Sequence, residues 1–273
     1  MSAFIWLGKL TQPNFHERAR SSKLPQLVTI PYSHYVDFAR WSLQLGGKSF
    51  EEHGYPPVYH VLAVLTIRVN GPENHLSESS FVQFVGKEVS TSSDDGKSAK
   101  RATKARATAV PVMCCPDGKV LRDSWEIASF SGIDPIDDEL KGVLDQKLGP
   151  MARQIAYHYI LKPTNKNVWD GMCTSGQNWF WCTLWWLYLG KVATGMLLKI
   201  FQPQNEAAVH TCRENLKVVV AELDERLKTR KGQFLNGDNP GMADIALAAL
   251  AGEELRRVER MAVGSEHRLC QGA

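Results

Sequence analysis

A β-branched run, Leu27-Val28-Thr29-Ile30, ends at Pro31 and predicts a short buried strand. Phe38, Trp41 and Leu45 then recur at i, i+3 and i+7 before Gly46-Gly47, the pattern of an amphipathic helix with a glycine stop. Asp37 falls in its first turn, where a negative charge suits the helix dipole. Residues 50–55 form a weaker strand pattern closed by Pro56-Pro57, so the opening reads strand, helix, strand. Residues 58–69 are apolar without a decisive period. Further on, residues 109–115 and 119–121 flank the turn signal Pro116-Asp117-Gly118 and predict a β-hairpin. Asp123 or Ser124 is a natural cap for a helix over 125–130.

Beyond residue 137 the period changes. Leu140, Val143 and Leu144 recur at i, i+3, i+4; Leu216, Val219, Val220, Leu223 and Leu227 extend the same series over three turns. Met242, Ile245, Ala246 and Ala249 repeat it. The second half is therefore helical, and residues 131–138, with Gly132 and Pro135, form the linker. The expected class is α/β in the first half and all-α in the second. The domains are expected at 25–130, with a long insertion at about 70–108, and at 137–262.

That insertion is rich in Ser, Gly, Lys and Asp and is read as a surface excursion. Its Lys97, Lys100, Arg101 and Lys104 lie at helical spacing, as an anion-binding arm or a solvated face would. Residues 179–189 carry Trp179, Phe180, Trp181, Trp185, Trp186 and Tyr188. Lys191 cuts this run short of the ~20 residues a membrane span needs. The run predicts a buried core helix lining an apolar pocket, with an interfacial membrane helix as the rival.

Composition narrows the classes. The chain has 273 residues, 44% hydrophobic and 22% charged, enough for a sizeable core without a staple. Lysine plus arginine is 32 against 29 acids, a net charge of +3, which gives no reason to expect nucleic acid as partner. Six cysteines form no C-x-x-C pair and there is no Asn-x-Ser/Thr sequon, which fits a reducing, cytoplasmic compartment. The first ten residues lack the pattern of a secretory signal. Arg18, Arg20 and Lys23 with Ser21 and Ser22 have the composition of a transit peptide, but Glu17 interrupts them.

Several chemistries drop out. Gly46-Gly47-Lys48-Ser49 ends like a phosphate loop, yet position 42 is Ser and a helix precedes it. The eight histidines make no zinc spacing with the cysteines, so no metal is expected. Cys114-Cys115 is a vicinal pair on a predicted strand, which reads as buried structural thiols before it reads as a redox centre. Ser33, before the helix, reads on residues alone as its N-cap.

The order of these features resembles the glutathione S-transferase family. Pro31-Tyr32-Ser33-His34-Tyr35 with Ala39-Arg40-Trp41 is similar to a serine-type bacterial and algal subset carrying P-x-S-H-[FY] and ARWAL. Val110-Pro111 and Asp123-Ser124 follow in the family's order. Phe234-Leu235-Asn236-Gly237-Asp238 and Ala243-Asp244-Ile245-Ala246-Leu247-Ala248 look like the segment near its C-terminus. The resemblance covers about 25–130 and 200–252. It implies a thioredoxin-like N-terminal domain followed by an all-helical C-terminal domain.

The resemblance also implies a site. Ser33 would aim its hydroxyl at the glutathione sulfur and favour the thiolate, with His34 and Tyr32 as rival donors. Val110, before a cis Pro111, would pair its backbone with the cysteinyl unit, and Asp123 and Ser124 would hold the γ-glutamyl end. Trp181, Trp185 and Tyr188 would line the acceptor pocket. Asp244 would be structural, its usual Ser/Thr cap partner replaced by Gly241. The implied activity is transfer of the thiolate to a small apolar electrophile by a detoxifying homodimer, with glutathione as co-substrate. The alternative is a non-catalytic binding or scaffold protein of the same fold, associated with a membrane surface.

Overall fold

The computed structural model describes residues 12–70, 110–229, 232–235 and 237–252, with backbone alone at 68–70. The insertion core at 71–108, its four cations, Asn236, Cys270 and both chain ends lie outside the described residues. The chain divides into two compact units, Met1–Ser131 and Gly132–Ala273.

The first unit begins with helix α1 (Phe15–Ser22), capped by the Asn14 side chain accepting from the Glu17 N–H. Phe15 and Ala19 of α1 are fully buried, so the segment with transit-peptide composition is built into the core. Strand β1 (Gln26–Thr29) follows, then α2 (His34–Leu45), β2 (Glu51–Gly54) and α3 (His60–Asn70). After the insertion come β3 (Val112–Cys114), β4 (Val120–Leu121) and α4 (Ser124–Ser131). The four strands lie in the order β2-β1-β3-β4; β1 runs parallel to β2, antiparallel to β3, and β3 antiparallel to β4.

Strand periodicity decides the layering. Side chains alternate faces along a strand, and Val28, Val112 and Cys114 pack with Phe15 and Ala19 of α1 and Ala63, Val64 and Ile67 of α3. Their neighbours Leu27, Met113 and Cys115 pack the opposite way, with Ala39 and Leu43 of α2 and Ile127 of α4. The result is a helix–sheet–helix sandwich, a thioredoxin-like α/β unit, with β1 buried on both faces. The undecided stretch at 58–69 is helical because Ala63, Val64 and Ile67 cover one face of the sheet.

Two details of α2 differ from the sequence pattern. Its core side is Val36, Phe38, Ala39 and Leu43, while Trp41 and Leu45 are partly exposed. Its end fits tightly against α4: a Cβ at Gly46 would run into the carbonyl of Ser131.

The second unit is all-helical over its described residues. Helix α5 (Asp138–Gly142) is capped by Asp137, which accepts from the Leu140 N–H at 2.7 Å, and it continues through a π-helical turn (Val143–Leu148) into α6 (Gly149–Ile160). Leu140, Leu144, Leu148, Ala152 and Ile155 make one buried seam along this run. A 3₁₀ turn leads to α7 (Lys166–Thr174). Helix α8 (Trp179–Leu184) passes through a second π turn (Trp185–Leu189) into α9 (Gly190–Phe201). The longest helix, α10 (Glu206–Thr229), buries Val209, Cys212, Leu216, Val219 and Leu223. It is tied to α6 by Arg213 Nη2 donating to the Tyr159 hydroxyl at 2.7 Å.

The last described helix, α11 (Met242–Gly252), buries nearly all its apolar residues. Asp244 fixes its entry: one carboxylate oxygen accepts from Leu235 N–H at 2.7 Å and the other from Gly241 N–H at 3.0 Å. That is the carboxylate half of a capping box. It works with Gly241 at the cap because it needs only the backbone N–H there.

Candidate functional site

Strand register decides which motifs share a neighbourhood. Val28 pairs with Val112 across β1 and β3, so the chain leaving β1 toward Pro31 and the chain entering β3 from Val110 lie at one end of the sheet. Met113 pairs with Leu121, so the chain leaving β4 into Arg122, Asp123 and Ser124 lies at that same end. Three segments, the first about eighty residues before the other two, are thereby collected at one end. The Val110–Pro111 peptide there is cis.

Ser33 sits at the N-cap of α2 with extended backbone, and its side chain makes no capping hydrogen bond. Its carbonyl starts the helix, accepting from Val36 N–H at 2.8 Å and Asp37 N–H at 3.1 Å. A serine at this position ordinarily spends its hydroxyl on the N2 or N3 N–H; this one does not. Of the rival donors, Tyr32 is half exposed and His34 lies against the Tyr35 ring, centroids 4.6 Å apart.

At the third segment Asp123 is the cap of α4, accepting from Glu126 N–H at 2.8 Å. Glu126 returns to the Arg122 N–H at 2.7 Å, closing a reciprocal pair at the helix start. Ser124 follows in the first turn and is 3% exposed. Two helix N-termini, α2 and α4, therefore open at the same sheet end, each presenting the positive pole of its dipole.

A charged network stiffens α2 against the sheet edge. Glu52 of β2 accepts from Thr29 Oγ1 at 2.9 Å and from Arg40 at 2.6 and 2.8 Å, and Arg40 also binds Asp37. The Arg40 hydrogen bond holds the Glu52 carboxyl below the usual carboxylate range, and Glu52 in turn raises Arg40. Sequence reading singled out Arg40 only as part of a resemblance. Its partner Glu52 sits in the polar half of the weaker strand, and nothing in the spacing pairs the two.

The vicinal thiols are not placed for chemistry. His16 Nε2 donates to the Ile67 carbonyl at 2.8 Å, which leaves Nδ1 as acceptor for the Cys114 thiol at 3.1 Å. Burial, then the neighbouring Cys115, pushes Cys114 up to about 12, and burial pushes Cys115 up to about 11. Cys114, Cys115, Cys173, Cys182 and Cys212 are all free. No group of three His, Cys, Asp or Glu side chains is placed to hold a metal among the described residues.

Within the second unit, a cavity of about 410 Å³ is lined by Leu161, Trp169, Trp185 and Leu198. Lys162, Lys166 and Lys191 stand at it too. Asp170 is buried beside it, bound to Lys166 and to Trp185 Nε1 at 3.0 Å. Of the three predicted acceptor residues only Trp185 lines this cavity; Trp181 is half-buried elsewhere and Tyr188 is exposed. The aromatic helix is not the core helix its composition predicts: Trp185 alone of its six aromatics is buried, because a helix wide in apolar residues can turn only one side inward. Nothing in the sequence spacing links Asp170 to Trp185; packing alone makes that contact.

Comparison with known proteins adds the following. Residues 184–265 match the family described as glutathione S-transferase, C-terminal domain. No curated protein matches the sequence. Among solved structures, a glutathione S-transferase of Ceriporiopsis subvermispora in complex with glutathione is 14% identical, covering 86% of this chain and 91% of its own, with a TM-score of 0.48. A glutathione transferase of Phanerochaete chrysosporium is 13% identical over 83% and 82%, with a TM-score of 0.47. A glutathione S-transferase of Methylobacillus flagellatus with GSH bound is 15% identical over 86% and 85%, with a TM-score of 0.41.

Proposed function

We propose that this protein, whose residues 184–265 match the glutathione S-transferase C-terminal domain, binds glutathione at the sheet end of its first unit and transfers the thiolate to an apolar electrophile. Ser33 is the catalytic residue of this reading: its hydroxyl donates to the glutathione sulfur. A free thiol has a pKa near ~8.5, so little is ionised at neutral pH. Lowering it by two units needs about 2.7 kcal/mol, within reach of one hydroxyl donor plus the α2 N-terminus. The thiol proton leaves to solvent. The sulfur lone pair forms the new C–S bond as the leaving group departs with its electron pair.

The other residues hold the tripeptide. The Val110 backbone pairs with the cysteinyl unit beside Pro111. Ser124 receives the γ-glutamyl carboxylate at the N-terminus of α4, where an anion is stabilised. Asp123 meets the γ-glutamyl ammonium while still capping α4, since a carboxylate has acceptor capacity for more than one partner. Trp185, the one predicted acceptor residue that lines the cavity of the second unit, is the acceptor-side residue of this reading, and the working form is a cytoplasmic homodimer that detoxifies electrophiles.

One observation carries the proposal: the uncommitted Ser33 side chain lies at the same sheet end as Val110-Pro111 and Asp123-Ser124. The test is thermal unfolding of the full chain against rising glutathione, with conjugation of an aryl halide measured in parallel. Stabilisation that follows mass action, about 2.7 kcal/mol at a hundred times the dissociation constant, together with turnover, is the expected result. No stabilisation at millimolar glutathione overturns the reading; stabilisation without turnover replaces it with the scaffold role.

A further inference from the structure

The run from α8 through α9, Trp179–Phe201, has an outward face that the enzymatic reading does not use. Trp179 is 79% exposed, Leu187 71% and Tyr188 63%, with Phe180, Trp186 and Val192 each about half exposed. Along its most apolar stretch only 11% of the residues are buried. An aromatic and aliphatic face of this size in water marks a contact surface.

We propose that this face docks on the anionic surface of a lipid bilayer, the helix lying in the interface. Charge selects the partner. Residues 171–205 contain no Asp or Glu, and Lys191 and Lys199 lie within the helix. Lys162 and Lys166 stand nearby at the cavity that Trp185 and Trp186 also line. Asp170, which lines the same cavity, is buried and bound to Lys166. Lysines without acids around exposed Trp and Tyr suit phosphate headgroups: the ammonium groups meet the charge while the rings enter the headgroup boundary. The Lys166 ammonium, paired with Asp170, sits 5.0 Å over the Trp186 ring and holds that ring in place, leaving Lys162, Lys191 and Lys199 to meet the headgroup charge.

Two features make the helix lie flat instead of crossing. Its inner side is bolted to the unit: Trp185 is 1% exposed and donates to Asp170 of α7, and Thr194 accepts from Trp169 of α7 at 2.9 Å. And Lys191 falls at the middle of the run, where a spanning helix would carry it to the bilayer centre at high cost.

The experiment floats the full chain with vesicles of phosphatidylcholine alone and with about 30% phosphatidylserine, at about 0.1 M salt and again at several-fold higher salt. At least tenfold more protein should float with the anionic vesicles, and the excess should vanish at high salt. Trp186→Ser with Leu187→Ser, and separately Lys191→Glu with Lys199→Glu, should each cut anionic binding about tenfold. Both double variants change exposed side chains, so circular dichroism and the thermal response to glutathione should stay as in the parent. Absence of flotation, equal flotation with both vesicle types, or unchanged flotation of either variant overturns the proposal. So does alkali-resistant insertion, which would mean a spanning helix. So does a dimer that Trp186→Ser with Leu187→Ser dissociates in the absence of any vesicle binding, which would mean that a second copy covers the face.

Discussion

At residue scale the informative fact about Ser33 is what its hydroxyl leaves undone. An N-cap serine that bonds its own helix should lose stability when cut to alanine, by about 1 kcal/mol. Ser33 makes no such bond. Ser33→Ala is therefore expected to leave the midpoint of urea unfolding nearly unchanged while lowering aryl halide conjugation roughly tenfold to a hundredfold and raising the pKa of bound glutathione, read from thiolate absorbance against pH. An unchanged rate removes Ser33 from the mechanism. Cys114 gives the opposite expectation. With its proton held toward His16 and its pKa pushed up to about 12, it should resist a thiol reagent at neutral pH in the native protein and react only after denaturation. The sequence placed both residues correctly on a helix start and on a strand, because those depend on local pattern. It could not show His16 reaching Cys114 across ninety-odd positions, because that contact is made by packing alone.

At the scale of elements, α2 is held at its middle and at its end by different means. Midway along it, Arg40 and Glu52 tie it to β2. The Glu52 carboxyl titrates lower in the folded chain than when unfolded, so its contribution is complete above the ordinary carboxylate range and is lost as pH falls through the lowered value. Glu52→Gln should cost about 2 kcal/mol in urea unfolding near neutral pH, and the gap between variant and parent should close in acid. At its far end, Gly46 lets α2 meet α4. Its φ of −75° suits any residue, so Gly46→Ala tests contact alone and should destabilise by about 1–3 kcal/mol through the clash with the Ser131 carbonyl. The glycine pair was legible as a helix stop; that its first member is also a spacer is visible only once α4 is in place. Likewise the π turns at Val143–Leu148 and Trp185–Leu189 have no sequence signature.

For the whole molecule, the change of hydrophobic period near residue 137 announced an α/β half and a helical half, and the described residues have that architecture. Period is a local property, so it survives translation into structure. Burial of a particular face is not: Trp41, Leu227 and the exposed aromatics have the right spacing for a core and the wrong neighbours. The thiols carry a consequence of their own. Every described cysteine is unlinked and four of the five are buried, so the native signal should return from denaturant in reducing buffer. In air the same experiment should run differently. Once opened, each molecule exposes several thiols that titrate normally, and cross-linking between molecules competes with refolding. Oxygen that the four buried thiols are shielded from in the folded state thus becomes a hazard the moment the chain unfolds.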